Sequence, residues 1–257
     1  MGALDDRVAV ITGGGRGIGR ALAEAFAAAG ATVVISARTT AEIDTVAAGV
    51  VASGARCIAV TADAMHSDGA RTPVRAAIAT FGRCDIVVNN VGGTVGSGPL
   101  AFAADDASFE KTIVLNLTSA YWTTSEALPH MRDQGFGRVI NIGSGASRHA
   151  SGSIAYTAAK HGIVGLTKQL ALATAAYGIT VNCVCPGWTN TALVDFDRIG
   201  ERSGVSAEVA RQRAEADNAQ RRVLEPTELT PMAVLLASAA GAGITGQVIN
   251  VDGGYRL

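Results

Sequence analysis

Little in this sequence commits it to a specialised class. Aromatic residues make up 5% of the chain, and its 257 residues include four cysteines. Cysteines so few and scattered cannot staple a chain of this size, which excludes a disulfide scaffold. Charge of one sign is also missing: the formal net charge is −1, and no run of Lys or Arg occurs beyond Arg221-Arg222. Nucleic-acid binding would require a basic stripe, so nucleic acid is not an expected partner. The amino end, "MGALDDRVAVITGG", holds acidic residues and only a short apolar run before its glycines. It reads as neither signal peptide nor membrane span, so no membrane partner and a cytoplasmic location are expected. Cys183 and Cys185 form a C-x-C in an apolar run, with no Cys or His partner at metal spacing nearby. Reduced, packed thiols sharing one strand face are expected there, and no metal site.

What is present is apolar and glycine-rich: 48% hydrophobic residues and 31 glycines. Short continuous apolar runs recur at 7–12, 31–36, 56–61, 84–90, 138–143, 179–184 and 245–251, each bounded by Gly, Asn or Asp. Such runs suit strands buried on both faces, as in a parallel sheet covered by helices. Stretches of helical length alternate with them: 17–29, 40–53, 67–81, 105–132, 153–177 and 226–237. The pattern predicts an α/β fold, a doubly wound seven-stranded parallel sheet with helices on both faces. No linker, low-complexity tract or long-period repeat interrupts it, so a single domain over 1–257 is expected. One segment departs from the alternation. Residues 190–224 are charged, with Arg and Glu at helical spacing, and read as a lid inserted over a site,.

Two local patterns raise chemical questions. "TGGGRGIG" (Thr12 to Gly19) follows the first strand and opens the first helix, with glycines at Gly13, Gly17 and Gly19. That context lets a backbone approach a phosphate at a helix N-terminus, or simply makes a tight turn. In "SGSIAYTAAKHG", Tyr156 precedes Lys160 by four residues, so phenol and ammonium share a helix face,. The pair is either a packed ring beside a solvated amine or a proton device.

Other motifs give these two company. "NNVG" (Asn89 to Gly92) follows the fourth strand, Asn116 lies in a long helical stretch, Ser144 follows the fifth strand, and "PGWTNT" (Pro186 to Thr191) follows the sixth. With the glycine loop and "YTAAK", in this order, the chain resembles the short-chain dehydrogenase/reductase family from "RVAVITGGG" to "ITGQVINVDGG". The resemblance implies a Rossmann-like fold and hydride transfer between a nicotinamide cofactor and a carbonyl or alcohol. It makes Tyr156 the general acid/base, Ser144 the group holding the substrate oxygen, and Lys160 a partner of the nicotinamide ribose. Asn116 would support a proton chain through water to Lys160. A free phenol ionises near pH 10. An ammonium about 5 Å away, at an effective dielectric of about 20, favours the phenolate by roughly 3 kcal/mol. Two departures from the family pattern stand out: the Ser144–Tyr156 interval is one residue shorter than usual, and Val91 replaces an alanine.

The resemblance assigns cofactor contacts to Gly13, Gly15, Arg16, Gly17, Ile18, Gly19, Ser36, Asn90, Pro186 and Thr189, besides Tyr156 and Lys160. It puts Asp63 near the adenine and Thr191 near the carboxamide. At the end of the second strand Ala37 stands where NAD-specific members resemble one another in carrying Asp, and Arg38 follows. Two guanidiniums, Arg16 and Arg38, predict NADP(H) over NAD(H), which stays possible if Arg38 is merely solvated and Arg16 packs over the adenine. Substrate contacts are expected from 93–98, 145–152, Trp188 and the lid, with Arg148 and His149 as candidates. The substrate is a small carbonyl or alcohol or an acyl thioester. Overall similarity leans towards 3-oxoacyl-acyl carrier protein reductases, although "ATAAYGITVN" (Ala173 to Asn182) lacks the basic residue such enzymes often carry there. A secondary alcohol dehydrogenase, a small-ketone reductase or a non-catalytic dinucleotide sensor are the alternatives. The family's usual association through its two long helices implies a homotetramer.

Overall fold

Every strand of the sheet alternates its residues between two apolar layers, because successive side chains of an extended chain point to opposite faces. In β1 (Val8–Thr12), Ala9 and Ile11 face one layer while Val8 and Val10 face the other. The same division runs through β2 (Thr32–Ala37), β4 (Ile86–Asn89), β5 (Gly137–Ile142) and β6 (Ile179–Pro186). With β3 (Cys57–Thr61) and β7 (Val248–Val251) these strands form one all-parallel sheet in the order β3-β2-β1-β4-β5-β6-β7. The computed structural model describes residues 2–96 and 105–257. Among the described residues no helix is long and apolar enough to cross a membrane.

One layer holds α1 (Gly17–Ala28), α2 (Thr40–Ala52) and α9 (Thr230–Ala237), which seal the sheet with Leu22, Phe26, Ile43, Val46 and Leu236. The other holds α3 (Ser67–Phe81), α5 (Ser119–Gln134) and α6 (Ile154–Thr174), contributing Val74, Ala77, Ala127, Met131 and Ala171. Each fully buried large side chain is worth about 1.5–3 kcal/mol. The chain runs outward from β1 to β3, returns to the other side of β1 at β4, and runs outward again to β7. Ligands of such sheets bind in the crevice at the carboxyl ends of the strands where this reversal occurs. Here that crevice opens between Thr12 and Asn90.

Polar groups inside the sheet fix how the helices sit. Asn89 donates to Asn141 Oδ1 at 2.8 Å and to Thr124 at 2.9 Å, and Asn141 donates to Thr167 at 2.9 Å. This buried chain ties β4 and β5 to α5 and α6. At the opposite end of the strands Asp85, fully buried, accepts from Val8 N and from the guanidiniums of Arg7 and Arg83.

The expected 105–132 helix is not continuous. α4 (Asp106–Ile113), N-capped by Asp105, passes into a π turn over Val114–Thr118 before α5 begins, with Ser119 N donating five residues back to Val114 O. Asn116 lies within that turn and is buried. The 190–224 segment carries two short helices, α7 (Phe196–Ser203) and α8 (Ala207–Ala216), capped by Asp195 and Ser206.

Close packing at the glycine loop allows a direct check. A Cβ on Gly19 would collide with the Gly13 carbonyl and the Asn90 amide, whereas one on Gly49 in α2 would meet nothing. Gly19→Ala is expected to destabilise by about 1–3 kcal/mol. Gly49→Ala is expected to stabilise by about 0.5–1 kcal/mol. Thermal unfolding of the two variants should move in opposite directions.

Candidate active site

The crevice is a cleft of about 910 Å³ at the carboxyl ends of β1, β2, β4, β5 and β6. Its floor at one end is the glycine loop. Gly13 and Gly17 hold φ of 67° and 53°, a region glycine enters without penalty,. Gly14 N donates to Ser36 O, and Asn90 Nδ2 donates to the carbonyls of Thr12 and Gly13. The loop is therefore braced by both neighbouring strands. Arg16 occupies the N-cap of α1 without capping it through its side chain, so the first N–H groups of the helix are left for an anion,.

At the other end stand Ser144, Tyr156 and Lys160. Ser153 caps α6 by accepting from Tyr156 N at 3.2 Å, which sets the start of the helix and thereby the height of the phenol. Tyr156 lies on the cleft wall with its ring against Gly152. Lys160, one turn on, is only 3% exposed. Its Nζ stands 5.7 Å from the Tyr156 ring centroid and donates to Ile142 O at 2.8 Å. Among the described residues that is its one hydrogen bond, so two of its three donors stay available on the cleft side. Ser144 accepts from Ala146 N at 3.1 Å, which leaves its own hydroxyl proton free to donate into the cleft.

The loop between Ser144 and Tyr156, one residue short of the usual length, closes by local bonds. Ser144 and Ser147 form a reciprocal cap on a 3₁₀ turn over Gly145–Ser147. Thr157 then clasps Ser151 from both sides, accepting from its N–H at 3.2 Å and donating to its carbonyl at 2.6 Å.

Fourteen of the fifteen expected cofactor-contact residues line the cleft together with Ser144: Gly13, Gly15, Arg16, Gly17, Ile18, Ser36, Arg38, Asp63, Asn90, Tyr156, Lys160, Pro186, Thr189 and Thr191 are all on its surface.

 Gly19 is the one that stands back, closed against Gly13 where it sets the approach of α1 to β1. Asn116 does not reach the cleft either. Buried behind it, Asn116 accepts from Gly93 N at 3.0 Å and donates to the carbonyls of Gly93 and Thr112. The Cβ position of Gly92 would lie 2.8 Å from Asn116 Oδ1 and 3.3 Å from Lys160 Nζ, so the Gly92–Gly93 backbone is gripped between the two. Of the expected substrate loops, Gly93 to Gly96 line the cleft, and the remainder of 93–98 lies outside the described residues. Trp188 is on the wall, but Arg148 and His149 are not, and His149 stands edge-on to the Tyr255 ring.

Glu42 and Tyr255 reach the cleft without any signal in the sequence, and two arginines reach it from the lid expected to contact substrate. Glu42, on α2, faces Arg16 across 3.7 Å. Tyr255 arrives from the far end of the chain and packs beneath Gly145. Arg198 and Arg202 come from α7. Behind the cleft Cys183 and Cys185 share a strand face as expected, their sulfurs 3.7 Å apart. The Cys183 thiol donating to Cys185 brings the latter down to about 7 despite its burial, and the same bond, with burial, holds Cys183 up.

A doubly wound sheet with an open glycine loop, a buried lysine and a cleft-lining tyrosine defines a dinucleotide-dependent α/β enzyme. The family model described as short chain dehydrogenase matches residues 7–202. A D-beta-hydroxybutyrate dehydrogenase of Cupriavidus necator is 35% identical over 98% of this chain and 98% of its own length. A 3-oxoacyl-acyl-carrier-protein reductase of Synechocystis is 36% identical over the whole of both chains. A solved structure from Beutenbergia cavernae, with NADP bound at low occupancy, has a TM-score of 0.88 and 33% identity over 97% of this chain and 96% of its own. The chain belongs to the short chain dehydrogenase family and is an NAD(P)-dependent oxidoreductase acting on CH–OH groups.

The grip on Gly92 yields a test. Gly92→Ala is expected to push the Lys160 amine or the Asn116 amide from its place. Misplacement by about 1 Å costs about 10²-fold in rate. Turnover should fall on that scale while the circular dichroism spectrum is retained.

Proposed function

We propose that the protein is a single-domain, NADP(H)-dependent oxidoreductase that interconverts a ketone and a secondary alcohol, with 190–224 as a lid over the cleft. The observation that carries this reading is the buried Lys160 ammonium beside the Tyr156 ring, with donors still available on the cleft side. The residues present fit a dinucleotide: the uncapped start of α1 suits a pyrophosphate, and Lys160 suits ribose hydroxyls,. Bound there, the nicotinamide would supply or accept the hydride.

In the reducing direction Ser144 donates a hydrogen bond to the substrate oxygen, holding the carbonyl in place. As the carbon receives hydride, Tyr156 passes its phenolic proton to the same oxygen, and the alcohol results. Lys160 stabilises the phenolate left behind. Asn116 supports this step by position: its amide is engaged with Gly93 and Thr112, so it holds the backbone that packs on the lysine.

For the cofactor, Arg38 is exposed on the cleft lip and Arg16 has its side chain 69% exposed, held only by the long contact to Glu42. Both are open to a 2′-phosphate, a stronger partner than a solvated carboxylate. Ala37 supplies no carboxylate to bind ribose hydroxyls or repel that phosphate. The hydroxybutyrate and 3-oxoacyl relatives support 3-oxo acids and 3-oxoacyl thioesters as first substrates. Simple secondary alcohols and small ketones are the second reading. Four free thiols suit a reducing, cytoplasmic setting,.

The deciding assay follows oxidation of NADPH, and separately NADH, with acetoacetate, an acetoacetyl thioester and a panel of simple ketones. Tyr156→Phe is expected to reduce turnover by about 10²–10⁴-fold, the contribution typical of a general acid. Arg38→Ala is expected to weaken NADPH binding far more than NADH binding, and equal losses would overturn the cofactor assignment. The same family reading makes the protein a homotetramer, supported by the exposed Phe109, Tyr121 and Leu172 on α4, α5 and α6. Light scattering at micromolar concentration should return four chain masses; a monomer mass would remove that assembly.

A further inference from the structure

We propose that Arg198 and Arg202 form an anion-binding end of the substrate pocket, so that the substrate carries a fixed negative charge, most simply a carboxylate, beyond its reacting carbonyl. The inference rests on the reading of Ser144 and Tyr156 as the groups at the substrate oxygen.

The two arginines are four residues apart on α7, hence on one face, and both line the cleft,. Among the described residues neither has an ion-pair partner, whereas Arg211, Arg222 and Arg256 of the neighbouring surface are bound to Glu215, Glu228 and Asp217. The acidic residues of α7, Asp197 and Glu201, are not on the cleft surface. The two carboxylates that are, Glu42 and Asp63, belong to the adenosine side, where Glu42 faces Arg16 and Asp63 accepts from Met65 N.

The position of α7 favours substrate over cofactor as the source of the anion. Phe196, its first residue, packs against Trp188 with ring centroids 6.4 Å apart. Leu193, just before it, lies 3.6 Å from the Cβ position of Gly93, and Gly93 is the residue bonded to Asn116. The helix therefore starts from the end of the cleft where Tyr156 and Lys160 stand, beside an apolar wall. A substrate spanning this end would present its carbonyl to Ser144 and Tyr156, its apolar body to Trp188 and Leu193, and its charge to the two guanidiniums. Paired guanidiniums suit a carboxylate because their planar donors match its two oxygens.

The test compares ligands that differ only in charge. Butyrate and butyramide are titrated into the protein–NADPH complex by calorimetry, and acetoacetate is compared with its methyl ester in turnover. The wild type is expected to prefer the anion by about 10- to 100-fold in each pair. Arg198→Gln/Arg202→Gln should erase that preference while leaving NADPH affinity within about two-fold, and the double lysine variant should recover part of it. Both positions are exposed, so these changes leave folding largely untouched,. Equal binding of butyrate and butyramide by the wild type would overturn the inference, as would a preference that survives in the glutamine variant. A parallel loss of NADPH affinity would overturn it too, by assigning the arginines to the cofactor. The outcomes also separate the two readings: turnover without charge preference defeats the anion site alone, and charge preference in binding without turnover of any ketone defeats the redox reading.

Discussion

The arrangement hangs on a short chain of hydrogen bonds buried where water cannot replace them. Asn89 and Asn141, side by side on β4 and β5, join each other and then reach Thr124 on α5 and Thr167 on α6. Apolar attraction is non-directional, so the buried hydrogen bonds add a directional constraint to the packing of the two helices on the sheet. Breaking one of these bonds leaves a buried amide or hydroxyl unsatisfied, at a cost of about 1–3 kcal/mol. That penalty fixes the register of the helices carrying Asn116, Tyr156 and Lys160.

From that register the site follows by local means. Ser153 starts α6 so that the phenol and the ammonium emerge on the cleft side, and Ile142 offers the ammonium a carbonyl from the end of β5. Glycines supply the missing volume: Gly92 lets Lys160 and Asn116 close on the backbone, Gly152 receives the Tyr156 ring, and Gly143 lies where a side chain would strike the sulfurs of Cys183 and Cys185. The cleft takes its groups from separate strand ends, and the sheet brings them together because every strand points the same way.

How much of this was legible in the sequence depended on how local each signal was. The seven apolar runs announced their strands because burial on both faces keeps the central strands mostly apolar, with the few polar residues, such as Asn89 and Asn141, bonded inside the sheet. Tyr156, Lys160 and Ser144 were legible through motif order, and the cleft receives all three. The π turn at Val114–Thr118 was not, since its residues suit an ordinary helix and only contact with Gly93 reveals the extra residue. Glu42 and Tyr255 were missed for a related reason. Each reaches the cleft through tertiary placement, and no neighbour in sequence marks it. Gly19 differs in the opposite sense: the resemblance counts it among the cofactor contacts, and packing against Gly13 keeps it behind the cleft surface.

Tyr255 gives the cleft a history as well as a wall. Its ring lies under Gly145, its hydroxyl reaches Ser151 at 3.4 Å, and residues next to it pair with Asp217, Ala219 and Gln220. The glycine loop leaves the ribosome well before this tyrosine, which follows the last strand of the sheet. A nascent chain can therefore close its sheet around β1 and β4 long before the reaction chamber has all its sides. A chain that stopped before β7 would lack the wall that Tyr255 gives the cleft.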